Sequence, residues 1–81
     1  MTIRVRLFAI AKDMAGFGER QIELPHTSSA QDVLRYLAGV DSRFSDWGSS
    51  MRFAVNQEYV PNDHPLHHGD EVAVIPPVSG G

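Results

Sequence analysis

Between Ser29 and Gly39 the chain carries its one long helical signal, and the segments on either side read at a period of two. Ala30, Val33, Leu34 and Leu37 recur at i, i+3, i+4 and i+7, so one helical face is apolar. Ser29-Ala30-Gln31-Asp32 fits a capping box, in which the Ser29 hydroxyl accepts from the Asp32 backbone N–H. Gly39 suits the C′ position. A single amphipathic helix must lay its stripe on something, and the flanking sequence offers strands. Thr2 to Ala9 alternates, with Ile3, Val5 and Leu7 on one face and Arg4, Arg6 and Phe8 on the other. Glu19 to Leu24 alternates again, Ile22 and Leu24 forming its apolar part. Met51 to Val55 reads as a third strand and Tyr59-Val60 as a very short fourth. In the last strand, Glu71 to Ile75, Val72 and Val74 face one way and Ala73 and Ile75 the other.

The connections fix how these pieces meet. Ile10 to Ala15 reads as one helical turn broken by Gly16-Phe17-Gly18, so the first two strands form a hairpin with a wide loop. Asp41 to Ser50 is polar with two anchors, Phe44 and Trp47, and reads as a short helix or turn whose aromatics cover the end of the core. Asn56-Gln57-Glu58 is a turn, Pro61-Asn62-Asp63 ends the short strand, and His64-Pro65-Leu66 reads as a helical turn with Leu66 as its plug. His67-His68-Gly69-Asp70 is a further turn. The order β-β-α-(short helix)-β-β-β predicts an α+β fold: a mixed sheet of about five strands with one main helix packed on one face. The first and last strands then pair in parallel at its centre, the helix serving as crossover. That is the β-grasp, or ubiquitin-like, arrangement, assigned to residues 1–75.

Residues 76–81, Pro76-Pro77-Val78-Ser79-Gly80-Gly81, read differently. Two prolines fix φ and remove two backbone donors, so the chain leaves the fold extended. Two glycines end it with no Cβ. A stiff base with a thin tip suits a narrow channel on another protein, and the Gly81 carboxylate is the tip's only strong chemical group.

Composition removes most competing chemistries. At 81 residues the chain is one domain with a modest core. It has no cysteine, which excludes disulfides, thiol nucleophiles and Cys-based metal sites and leans toward the cytoplasm. A net charge of −3 with one lysine, Lys12, offers no nucleic-acid footprint. No apolar run approaches the roughly 20 residues that span a bilayer. His64, His67 and His68 sit in turns, with adjacent His67 and His68 pointing apart, and do not make a metal site. The serines lie in polar turns with no signature of an activated nucleophile. Gly16-Phe17-Gly18-Glu19 lacks the length and the lysine of a phosphate cradle.

Several blocks together resemble one family. They are Leu7-Phe8-Ala9, the turn reaching Gly16, Val55-Asn56-Gln57-Glu58-Tyr59-Val60, Asp63-His64-Pro65-Leu66, Gly69-Asp70-Glu71-Val72-Ala73 and the Pro-Pro-Val-Ser-Gly-Gly ending. Over its whole length the chain is similar to the MoaD family, the sulfur carriers that form the small subunit of molybdopterin synthase. The resemblance implies that a MoeB-like enzyme uses ATP to adenylate Gly81 and that a sulfur donor system then replaces AMP, leaving a thiocarboxylate. It implies docking on a MoaE-like large subunit in a heterotetramer, with sulfur passing to a pterin precursor for molybdenum cofactor biosynthesis. It implies further that the chain binds no cofactor itself, the ATP being used by the activating partner, and that it is a non-catalytic sulfur-donor subunit of the synthase. The acyl chemistry rests on Gly81 and Gly80. Phe8, Tyr59 and Ile75, with Pro76, Pro77, Val78 and Ser79, form the partner-binding set; Ile75 stands where the family often has Phe. The same tail chemistry also suits a carrier for thiamine or cysteine synthesis, or a protein modifier joined through Gly81 to a lysine.

Overall fold

The computed structural model describes residues 1–76. In order they form β1 (Thr2–Leu7), α1 (Ala9–Ala15), β2 (Glu19–Glu23), α2 (Ala30–Val40), α3 (Arg43–Trp47), β3 (Arg52–Val55), β4 (Glu58–Val60) and β5 (Glu71–Ile75), with a 3₁₀ turn at Gly48–Ser50 before β3. The five strands make one mixed sheet in the order β2-β1-β5-β3-β4. β1 and β5 pair in parallel at its centre, Val5 opposite Val72 and Leu7 opposite Val74, as the helical crossover between them requires. The β1–β2, β3–β4 and β3–β5 pairs are antiparallel. The expected β-grasp order is therefore present, with α2 as the main helix and the expected helical turn and short helix observed as α1 and α3.

Alternation along the strands sorts the two faces. Ile3, Val5, Leu7, Ile22, Phe53, Val55, Val72 and Val74 are buried in one cluster with Ala30, Val33 and Leu37 of α2. Three of the four residues on the apolar stripe of α2 are fully buried, and Leu34 packs at the cluster's edge. Removing a fully buried side chain here, Leu37→Ala for example, costs about 2–5 kcal/mol. Among the described residues no helix crosses the opposite face of the sheet.

Local physics adjusts the sequence reading in four places. α1 is two turns rather than one: it begins directly at Ala9, whose φ is +50°, and ends where Gly16 in the left-handed region donates to Lys12 O at 3.0 Å. α2 runs past Gly39 and ends at Val40, because Asp41 breaks it. The Asp41 carboxylate accepts the Arg43 backbone N–H at 2.9 Å and its guanidinium at 2.6 Å, which starts α3. Phe44 is fully buried as expected, but Trp47 is 41% exposed. The inward position beside α2 is taken by Gly48, whose Cα approaches Leu34 so closely that a Cβ would stand 2.5 Å from Leu34 Cδ2.

His64-Pro65-Leu66 is extended rather than helical. Ala30 donates to His64 O at 2.9 Å, Leu66 donates to Ser28 O at 3.0 Å, and Ser29 and Pro65 form an antiparallel bridge. With Gln31 donating to Asn62 O at 2.9 Å, this segment satisfies free N–H groups at the start of α2, which a helical turn would leave open. The Asp32 side of the cap is in place, its carboxylate accepting the Ser29 N–H at 2.8 Å. Leu66 is buried, as its role as a plug demands.

Candidate docking face

The free face of the sheet is built by the residues that alternate with the buried ones along the same strands. β5 contributes Glu71, Ala73 and Ile75; β1 contributes Arg4 and Arg6; β3 contributes Arg52 and Ala54; β4 contributes Tyr59. Register sets them in rows. Arg6 pairs with Ala73, Ala73 with Ala54 and Ala54 with Tyr59, so one row crosses four strands. In the next row Ile75 pairs with Arg52. Phe8, extended at φ −130° and ψ 155°, follows Leu7 opposite Val74 and so comes level with Ile75.

Phe8, Ile75 and Tyr59 thus share one face, but they are not in mutual contact as a cluster of three. Tyr59 stands two strands from β5, roughly 10 Å away at ordinary strand spacing. The gap is floored by Ala54 and Ala73, which the sequence reading did not assign to the site. Ala54 is only 7% exposed yet stands outside the main core cluster, as expected of a small residue beneath larger neighbours on the free face. Their signal lay in strand phase: Ala73 alternates with Val72 and Val74, and Ala54 with Phe53 and Val55. Tyr59 is 71% exposed and Phe8 42%, while Ile75 is half-buried. A shallow apolar strip, small in the middle and large at both ends, suits a partner with a complementary ridge.

Charged groups bound this strip. Arg6 lies over the Phe8 ring, Cζ 5.4 Å from its centroid. Its Nη1 is 3.4 Å from Glu71 Oε1 and its Nε 3.8 Å from Glu19 Oε1. Arg4 Nη1 is 3.9 Å from the other Glu71 oxygen. The far half of the face is thus an ion-pair lattice, and the half nearest the end of β5 is apolar apart from Arg52, which is opposite Ile75. The chain continues from that apolar end into Pro76, which is buried. Pro77, Val78, Ser79, Gly80 and Gly81, the rest of the predicted arm, lie outside the described residues.

The remaining candidates have structural occupations. The Thr2 N–H donates to His68 Nδ1 at 3.0 Å, and the His67 N–H donates to Asp70 Oδ2 at 2.8 Å. Asp70 also accepts from Asn56 Nδ2 at 3.0 Å, tying the β3–β4 turn to the start of β5. Among the described residues no three His, Asp or Glu side chains are grouped to hold a metal ion. None of the helices is long and apolar enough to cross a membrane.

Comparison with known proteins places this geometry. The profile of the ThiS family matches residues 5–81. The chain belongs to the ThiS family. It is 40% identical over 83 residues to the molybdopterin synthase sulfur carrier subunit of Chlamydomonas reinhardtii, with 100% of each chain covered. Among solved structures it is similar to SAMP1 from Haloferax volcanii, at 25% identity with 100% of both chains covered and a TM-score of 0.84. It also resembles a chain in the complex of subunits 1 and 2 of molybdopterin-converting factor from Helicobacter pylori. That match has 26% identity, 100% of both chains covered and a TM-score of 0.66. The β-grasp reading and the family resemblance seen in the sequence are both upheld, since the match to the relative runs end to end.

Proposed function

We propose that this chain is the sulfur carrier and small subunit of a molybdopterin synthase, and that Gly81 is its reacting residue. The observation that carries the reading is the end-to-end 40% identity with a sulfur carrier subunit. The geometry supports it: β5, the central strand, ends on the apolar half of the free face, so the segment ending in Gly80-Gly81 starts beside the docking strip.

The chemistry follows from the terminal group. At neutral pH a chain-end carboxylate is an anion and a poor acyl electrophile. Attack of its oxygen on the α-phosphorus of ATP, within a MoeB-like partner, releases pyrophosphate and leaves an acyl-adenylate. Hydrosulfide supplied by the donor system adds to that acyl carbon and AMP leaves with the C–O bonding pair, giving a thiocarboxylate with the reactive atom at a chain end rather than on a side chain. The strip of Phe8, Ala73, Ile75, Ala54 and Tyr59 docks on a MoaE-like large subunit while the tip delivers sulfur to the pterin precursor. The complex of the Helicobacter pylori subunits supports such a pairing for this fold. Gly80 and Gly81 keep the tip thin, and any Cβ there widens it. Basic side chains on both partners are the natural complement to an anionic tip.

Reconstitution tests this. With adenylating enzyme, ATP, sulfur donor, large subunit and pterin precursor, the full chain supports dithiolene formation. Deleting Gly81 abolishes it, and Gly81→Ala impairs activation. A chain lacking Gly81 that still accepts and passes on sulfur would refute the proposal.

A further inference from the structure

The free face holds three guanidinium groups, and they are not equivalent. Arg4 and Arg6 both reach Glu71, and Arg6 reaches Glu19 as well, so their charge is spent within the chain. Arg52 is exposed and, among the described residues, has no carboxylate within ion-pair distance. Its place is fixed by register: it is opposite Ile75 on β3, and it lines a surface concavity with Tyr59. It therefore stands at the border of the apolar strip, beside the point where the chain leaves the sheet. On a chain of net charge −3 this is a cation with no counter-charge among the described residues, at the edge of the surface read as docking.

We infer that Arg52 is a specificity-determining residue of docking, paired in the complex with an acidic side chain on the rim of the large subunit's groove. The inference rests on the docking reading above. Its physical basis is charge complementarity. An apolar strip alone fixes neither register nor orientation, because dispersion and hydrophobic burial are non-directional. A partner that is basic where it receives the anionic tip and acidic where it meets Arg52 is matched by this chain in one orientation only. Like charges rim to rim oppose the reversed one. A rim charge of this kind acts chiefly on encounter and is screened within about 8–10 Å at ordinary ionic strength. Arg6 plays a different part: its own carboxylates already hold it against Phe8, so its removal disturbs the strip rather than the charge pattern.

The test is the association rate of the full chain with the cognate synthase large subunit, measured across ionic strength. Arg52→Gln is expected to slow association about threefold at low salt and Arg52→Glu about tenfold, both differences shrinking as salt rises. Arg52→Lys, which keeps the charge, recovers most of the rate. Arg35→Gln, which removes the same charge from the helical side, leaves it unchanged. Circular dichroism and a thermal midpoint equal to the parent's confirm that each variant is folded. If the parent binds and the Arg52 variants match it at every salt concentration, the inference is overturned while docking stands. Tyr59→Ala separates the two ideas: it weakens binding at all salt concentrations. If the parent chain does not bind the large subunit, the docking reading fails and takes this inference with it.

Discussion

Asp41 and Arg43 show how much one pair of neighbouring side chains decides. The Arg43 guanidinium, first by hydrogen bonding and then with help from its backbone N–H, lowers the Asp41 carboxyl from 3.8 to about 2. The same bonds raise the already basic Arg43 further. A carboxyl whose folded pKa is depressed favours the folded state above its ordinary titration range, and that contribution fades as pH falls through its folded value. The window is therefore between about 4 and about 2, and the effect is small because the pair is at the surface, with Arg43 exposed to solvent. Titration followed by NMR should place the Asp41 midpoint near 2 in the parent and return it toward the ordinary aspartate value in Arg43→Ala. An unchanged midpoint in the variant would show that the pair does not hold Asp41. Sequence spacing alone did not reveal this contact: Asp41 and Arg43 read as generic polar residues until the backbone brings N–H and guanidinium to one carboxylate.

At the scale of elements, the sequence was most informative where one face is buried and least where ends are set by bonds to distant segments. Ile3, Val5 and Leu7, and Val72 and Val74, announce their strands because a slip by one residue would turn every one of them to water. The helical stripe from Ala30 to Leu37 is equally clear. The end of α2 is not, because Gly39 offered a local stop while Asp41 supplies the real one. Gly39 therefore sits inside the helix, exposed, with open space where a Cβ would stand. Gly39→Ala is expected to stabilise the fold by about 0.5–1 kcal/mol, read as a raised thermal midpoint. A lowered midpoint would mean that the helix needs glycine there. His64-Pro65-Leu66 was misread for a related reason: its extended form is held by hydrogen bonds to Ser28 and Ala30, more than thirty residues away, and no local propensity encodes them. On the free face of the sheet, the large residues Phe8, Tyr59 and Ile75 are legible from strand phase, whereas Ala54 and Ala73 carry no chemical signal of their own. Arg52 acquires meaning only when register places it opposite Ile75.

Over the whole molecule, the two faces of the sheet divide the labour. One side, against α2, supplies the core that keeps an 81-residue chain folded without disulfides. The other is left without a helix and grades from an ion-pair lattice around Glu71 to an apolar strip at the end of β5. The central strand runs on in sequence to the Pro-Pro-Val-Ser-Gly-Gly segment, so the proposed docking face and the proposed reacting end belong to one stretch of chain. The proposed chemistry is that of a chain end, Gly81, acting within its partners' sites.

The most direct measurement is the intact mass of the full chain after incubation with its adenylating enzyme, ATP and a sulfur donor. Replacement of one carboxylate oxygen by sulfur adds about 16 Da, and the account predicts that gain at Gly81, dependent on ATP and absent when Gly81 is deleted. An unchanged mass under conditions in which the same enzyme activates another carrier would contradict it.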